Sequence, residues 1–164
     1  MTAASIDRST FLPRRIISGG QSGVDRGALL AAIELGIQHG GWCPRGRLAE
    51  DGPIDERFQL LETESSQYHV RTERNVTDSN GTLIIHRGPL TGGTALTERF
   101  AHLHGKHCLL VDLQKPVLPA EILAWIAQHR ISVLNIAGPR ESSVPGIQED
   151  ARQLVYLLFA APAN

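Results

Sequence analysis

Two glycine-rich stretches carry the residue types best suited to chemistry. The first is Ser18-Gly19-Gly20-Gln21-Ser22-Gly23-Val24-Asp25, directly after Arg14-Arg15-Ile16-Ile17. The second is Thr91-Gly92-Gly93-Thr94-Ala95-Leu96-Thr97-Glu98, a few residues after Thr82-Leu83-Ile84-Ile85. Each joins a short apolar strand pattern to a helical pattern. Glycine lets the backbone approach a ligand closely, and the first turn of a helix leaves its amides without intrahelical partners. Such amides donate well to phosphate oxygens, so two of these turns in one small chain point to a shared anionic ligand. The same turns also occur simply to pack a helix closely on a sheet. The first reads GGQSG, which is neither the dinucleotide fingerprint GxGxxG nor a phosphate loop with its GK[ST] lysine. Nicotinamide cofactors and ATP hydrolysis are therefore disfavoured.

The elements that position these turns are set by hydrophobic patterning. Strand patterns occupy Arg15–Ser18, Thr82–His86, Cys108–Asp112 and Ser132–Ala137, with a short one over Gly41–Pro44. Helical patterns run through Val24–Leu35, Arg71–Asp78, Gly93–Gly105, Pro119–His129 and Gly146–Phe159. Strands apolar on both faces and joined by helices predict a three-layer α/β Rossmann-like domain with a mainly parallel sheet. Residues 1–14 read as a short disordered lead-in, and residues 15–164 as a single ligand-binding domain. Residues 44–80 are the least regular stretch, and a loop this long is either disordered or functional.

In an open parallel sheet the ligand sits beyond the C-terminal strand ends, at the topological switch point. The chain leaving those strand ends carries Gly19, Gly20, Gln21, Ser22 and Gly23, then Arg87 with Thr91, Gly92, Gly93 and Thr94, then Gly138 and Arg140. These are the candidate ligand-binding residues. Guanidinium geometry suits a bidentate phosphate contact. Asp25 falls in the first turn of its helix, where a carboxylate complements the helix dipole. His102, His104 and His107 lack the HExxH spacing and read as solvated residues at a helix end, so no metal site is expected.

Composition bounds the rest. The 164 residues are 41% hydrophobic and 20% charged with a net charge of −1, which gives no electrostatic footprint for nucleic acid or an acidic membrane. No uninterrupted apolar run is long enough to span a bilayer, and the N-terminus lacks the order of a secretory signal. The two cysteines, Cys43 and Cys108, have no CxxC spacing, and a reducing cytoplasm is the default. Cys108 begins a strand and reads as a small buried hydrophobe; Cys43 reads as closer to a loop.

Five separated segments together resemble the putative molybdenum carrier family. They are Ile17-Ser18-Gly19-Gly20-Gln21-Ser22-Gly23-Val24-Asp25, Gly41-Trp42-Cys43-Pro44, Arg71-Thr72-Glu73-Arg74-Asn75-Val76, Leu90-Thr91-Gly92-Gly93-Thr94 and Ala137-Gly138-Pro139-Arg140-Glu141-Ser142. The resemblance runs from about Arg15 to Phe159. It implies a homotetramer that binds, stores and protects molybdenum cofactor, a phosphorylated pterin, as a non-catalytic carrier that delivers it to an apo-molybdoenzyme. A more distant similarity is to the Lonely Guy phosphoribohydrolases, which implies cleavage of a nucleoside 5′-monophosphate as the alternative, beside a nucleotide-sensing module. If the chain is an enzyme, Glu98, Glu73 and Arg71 are the residues for the chemistry. The hydrolase signature PGGxGTxxE places a glutamate three residues after its threonine. Here Thr97 stands at that offset and Glu98 one residue further, a shift that turns a helical side chain by about 100°.

Overall fold

Strand and helix alternate along the chain, and the computed structural model describes residues 11–161. In chain order the elements are β1 (Arg15–Ile17), α1 (Val24–Leu35), β2 (Gln38–Gly40), β3 (Trp42–Cys43), β4 (Leu61–Glu62), α2 (Tyr68–Thr77), β5 (Gly81–His86), α3 (Gly92–Leu103), β6 (His107–Asp112), α4 (Pro119–Gln128), β7 (Val133–Ala137) and α5 (Ile147–Phe159). Of the expected lead-in, residues 1–10 lie outside the described residues. Arg14 donates its backbone N–H to Ser132 O at 2.9 Å, which ties the entry into β1 to the start of β7.

The central sheet has the order β2-β1-β7-β5-β6, and every pairing in it is parallel. All six residues of β5 are buried, as a strand covered on both faces requires. The helices flank the sheet in two groups, α1 with α5 and α4, and α2 with α3. The result is the expected three-layer Rossmann-like α/β fold. The main core joins Ile16, Leu83, Ile85, Leu134 and Ile136 of the strands to Val24, Ala28, Ile126, Ile147 and Val155 of the helices.

The connection from β1 leads outward to β2, and the connection from β5 leads outward the other way to β6. Between them lies β7. The chain therefore diverges over the C-terminal end of β7, and a crevice must open there.

Three strands differ from expectation, β2, β3 and β4. The edge strand β2 was not foreseen, because Gln38-His39-Gly40 has no apolar alternation and pairs only through its backbone with β1. Trp42–Cys43 does form a strand, but it pairs with β4 in a separate two-stranded sheet. The irregular stretch before α2 has its own internal order. Arg47, with φ of 55°, donates from its guanidinium to the carbonyls of Ile54, Asp55, Phe58 and Leu60. This wraps the loop around a second core of Leu29, Cys43, Ile54, Phe58 and Leu60.

Candidate functional site

A cavity of about 470 Å³ opens at the divergence point. Its walls come from the loops after β1, β5 and β7 and from one face of α2. Gly19, Gln21 and Asp25 line one side, Thr91 to Thr94 and Thr97 another, Ala137 to Arg140 with Ser142 and Ser143 a third. Tyr68, Arg71, Thr72 and Asn75 close it from α2. A volume of this size suits a nucleotide-sized ligand. More of its lining is polar than apolar, so polar contacts contribute much of the recognition.

The second glycine turn opens on the cavity. The first intrahelical bond of α3 runs from Ala95 N–H to Thr91 O, and Thr91 makes no side-chain cap. The amides of Gly92, Gly93 and Thr94 have no protein acceptor among the described residues. Nothing lies within 4 Å of where a Cβ of Gly92 or Gly93 would sit. This helix N-terminus therefore presents three free donors and its positive dipole end to the cavity.

The first glycine turn is arranged differently. Gln21 N–H donates to Asp25 Oδ2 at 3.3 Å, Ser22 N–H to Gln21 Oε1 at 3.0 Å and Gly23 N–H to Gln148 Oε1 at 3.1 Å. Val24 N–H is taken by Pro139 O at 3.2 Å. The amides at the start of α1 thus bind other parts of the protein, and Gly20, Ser22 and Gly23 do not line the cavity. Gly23 is needed for close approach instead, since a Cβ there would overlap Pro139 O and lie 2.7 Å from Glu141 N. What this turn contributes is Gln21. Its Oε1 accepts from Ser22 N–H and from Glu50 N–H, which leaves Nε2 as a buried donor with no partner.

Arg71 is the largest contribution that the glycine-centred reading left out of its ligand set. It is only 7% exposed, with Nη1 donating to Gly19 O at 2.7 Å and Nε to Thr72 Oγ1 at 3.2 Å. Its Nη2 makes no hydrogen bond among the described residues. The sequence signal was present: Tyr68 and Arg71 stand three apart on α2 and share a face. Tyr68 holds the guanidinium carbons of Arg71 and Arg140 each 5.3 Å from its ring centroid. Asn75 clamps β3 by accepting from Trp42 N–H and donating to Trp42 O.

Asp25, assigned from the sequence to the helix dipole, also faces this cavity. Its Oδ2 lies 3.9 Å from Arg71 Nη1. Burial pushes its carboxyl above the ordinary carboxylate range, against the opposing pull of Arg71.

The remaining candidates lie elsewhere. Arg87 pairs with Asp150 beside a shallow groove that Leu113, Val117 and Leu157 help to line, away from Arg140. Glu73 meets His104 Nε2 at 2.9 Å, and neither Glu73 nor Glu98 lines the cavity. Among the described residues no group of three or more His, Cys, Asp or Glu side chains could hold a metal ion. Cys43 is fully buried in the second core, whereas Cys108 is only half-buried, the reverse of the expected order. No helix of the described residues is long and apolar enough to cross a membrane.

The circularly permutated YpsA SLOG family matches residues 16–159. Among solved structures, the crystal structure of a putative molybdenum carrier protein from Syntrophus aciditrophicus SB is 47% identical in sequence. It superposes with a TM-score of 0.90, over 92% of this chain and 98% of that one. No curated protein matches.

Proposed function

The chain belongs to the circularly permutated YpsA SLOG family, and from that premise we propose that its switch-point cavity binds and carries a small phosphorylated nucleotide or pterin, molybdenum cofactor foremost. One observation carries the reading. The three free amides of Gly92, Gly93 and Thr94 open on the same cavity as the spare Nη2 of buried Arg71. A phosphate there receives charge-assisted hydrogen bonds from both sides, and Arg140 stands at the rim as a second cation. Gln21 Nε2 adds a further donor on the wall.

The residues present fit a phosphorylated pterin as cargo. The phosphate has its donors, and the Tyr68 ring is a flat partner for a heterocycle. Neither cysteine lines the cavity, so no thiolate is offered to the metal and binding rests on phosphate and ring. Protection of the cargo, assembly into a homotetramer and delivery to an apo-molybdoenzyme belong to the same reading. The phosphoribohydrolase alternative is weakened because its two candidate carboxylates, Glu98 and Glu73, lie off the cavity.

Anaerobic titration with molybdenum cofactor, in parallel with AMP, tests the proposal. Saturable retention of the cofactor with slowed oxidation is expected, and Arg71→Gln weakens it by about tenfold to a hundredfold. Glu73→Gln and Glu98→Gln leave it unchanged. Release of adenine from AMP with no cofactor retained would sink the carrier and favour the hydrolase.

A further inference from the structure

The proposed anion site contains a carboxyl group in an unfavourable place. Asp25 is the carboxylate lining the cavity, it is 7% exposed, and it shares the Arg71 guanidinium with whatever anion that guanidinium holds. Gly19 supplies the room for this pair, since a Cβ there would lie 2.8 Å from Asp25 Oδ2 and overlap Arg71 Nη1. The charged groups facing Asp25 are Arg71 from α2 and Arg26 from its own helix, and Arg26 is already paired with Asp51. The neutral groups are the Gln21 amide and the Ser18 hydroxyl.

Among the described residues the Asp25 carboxyl accepts one hydrogen bond, from Gln21 N–H at 3.3 Å. The Ser18 hydroxyl donates to Ile136 O at 2.6 Å. One backbone donor and an ion pair at 3.9 Å are thin support for a buried carboxylate. When a dianion engages Arg71, two anions compete for one buried guanidinium, and the low dielectric makes that costly. The simplest relief is a proton on Asp25.

We propose that Asp25 is the proton carrier of this pocket, so that a phosphomonoester-class dianion enters together with one proton, which Asp25 takes up. The proposal rests on the anion site proposed for this cavity. With Asp25 neutral, the charge of buried Arg71 is left to the ligand, while Arg140 at the rim is shared with Glu50. The site then releases its ligand as the pH rises.

Sulfate is a suitable probe, because it remains a dianion from pH 5 to pH 9. Calorimetric titration of the intact protein, in paired buffers of different ionisation enthalpy, reads the protons taken up per sulfate across that range. Uptake reaching about one proton is expected in part of the range, where affinity falls about tenfold per pH unit. In Asp25→Asn the uptake vanishes and that slope flattens. Sulfate binding with no uptake at any pH overturns the proposal and leaves the anion site standing. So does a slope that persists in Asp25→Asn, since another group then carries the proton. Failure of sulfate to bind at all removes the anion site and the proposal with it.

Discussion

Gly19 and Arg71 compete for one volume: a Cβ on Gly19 would overlap Nη1 of Arg71, which there donates to the Gly19 carbonyl at 2.7 Å. The glycine is thus required by an arginine from a distant helix, rather than by a phosphate lying on its own backbone. Gly19→Ala should leave the sheet intact and push Arg71 out of its seat. The buried hydrogen bond is worth about 1–3 kcal/mol, so denaturant unfolding should reveal a loss of that order. Anion affinity should fall by about tenfold or more in the same variant, because the spare Nη2 loses its position. An alanine variant with wild-type binding would show that Arg71 does not hold the ligand.

The other glycines divide by the same reasoning. Gly93 has open space around its absent side chain and lies in the first turn of α3. Gly93→Ala should raise stability by about 0.5–1 kcal/mol through reduced chain entropy. Gly23 has φ of 87° and ψ of −135°, a region that other residues avoid, and its side-chain space is filled by backbone of the loop after β7. Gly23→Ala should cost at least about 3 kcal/mol. Chemical denaturation of the two variants side by side checks both signs.

These contrasts locate what the sequence could tell. Apolar runs such as Leu83-Ile84-Ile85 announce a parallel strand because both faces are buried, so the layers and the position of the crevice were legible. The α3 turn could be described from its local pattern because no distant acceptor takes its first amides among the described residues. The α1 turn was not, because its amides are taken by Asp25, by the Gln21 side chain and by Gln148, 125 residues away from Gly23. Long-range acceptors leave no local trace. Asn135 was missed as a cavity residue because the polarity of a strand residue does not state which way it points.

The cysteines give a test of packing. Burial, and after it the nearby Glu98 charge, pushes the Cys108 thiol up to about 11. At pH 7 the thiolate is then on the order of one part in ten thousand, and reaction with an aromatic disulfide reagent should be slow. Cys43 is sealed in the second core and its thiol is also raised, chiefly by burial. Cys43 should react only after denaturation. Rapid labelling of native Cys43 would show that β3 and the loop around Arg47 open readily.

Glu50 joins that loop to the cavity rim. Its carboxylate accepts from the Ser22 and Ser142 hydroxyls and from Ser142 N–H at 3.1 Å, with Arg140 Nη1 3.8 Å away. The Ser142 and Ser22 hydroxyls, in that order, hold it below its ordinary value of 4.5. A carboxyl lowered in the folded state stabilises the fold fully above its unfolded value, and that contribution disappears as the pH falls through the folded one. Hydrogen exchange should therefore show residues 44–53 and 138–143 loosening together below about pH 4.5, before global unfolding. Glu50→Gln should produce the same loosening at pH 7, where the amide cannot accept all of these donors. If exchange in the two segments does not change together, Glu50 does not latch them.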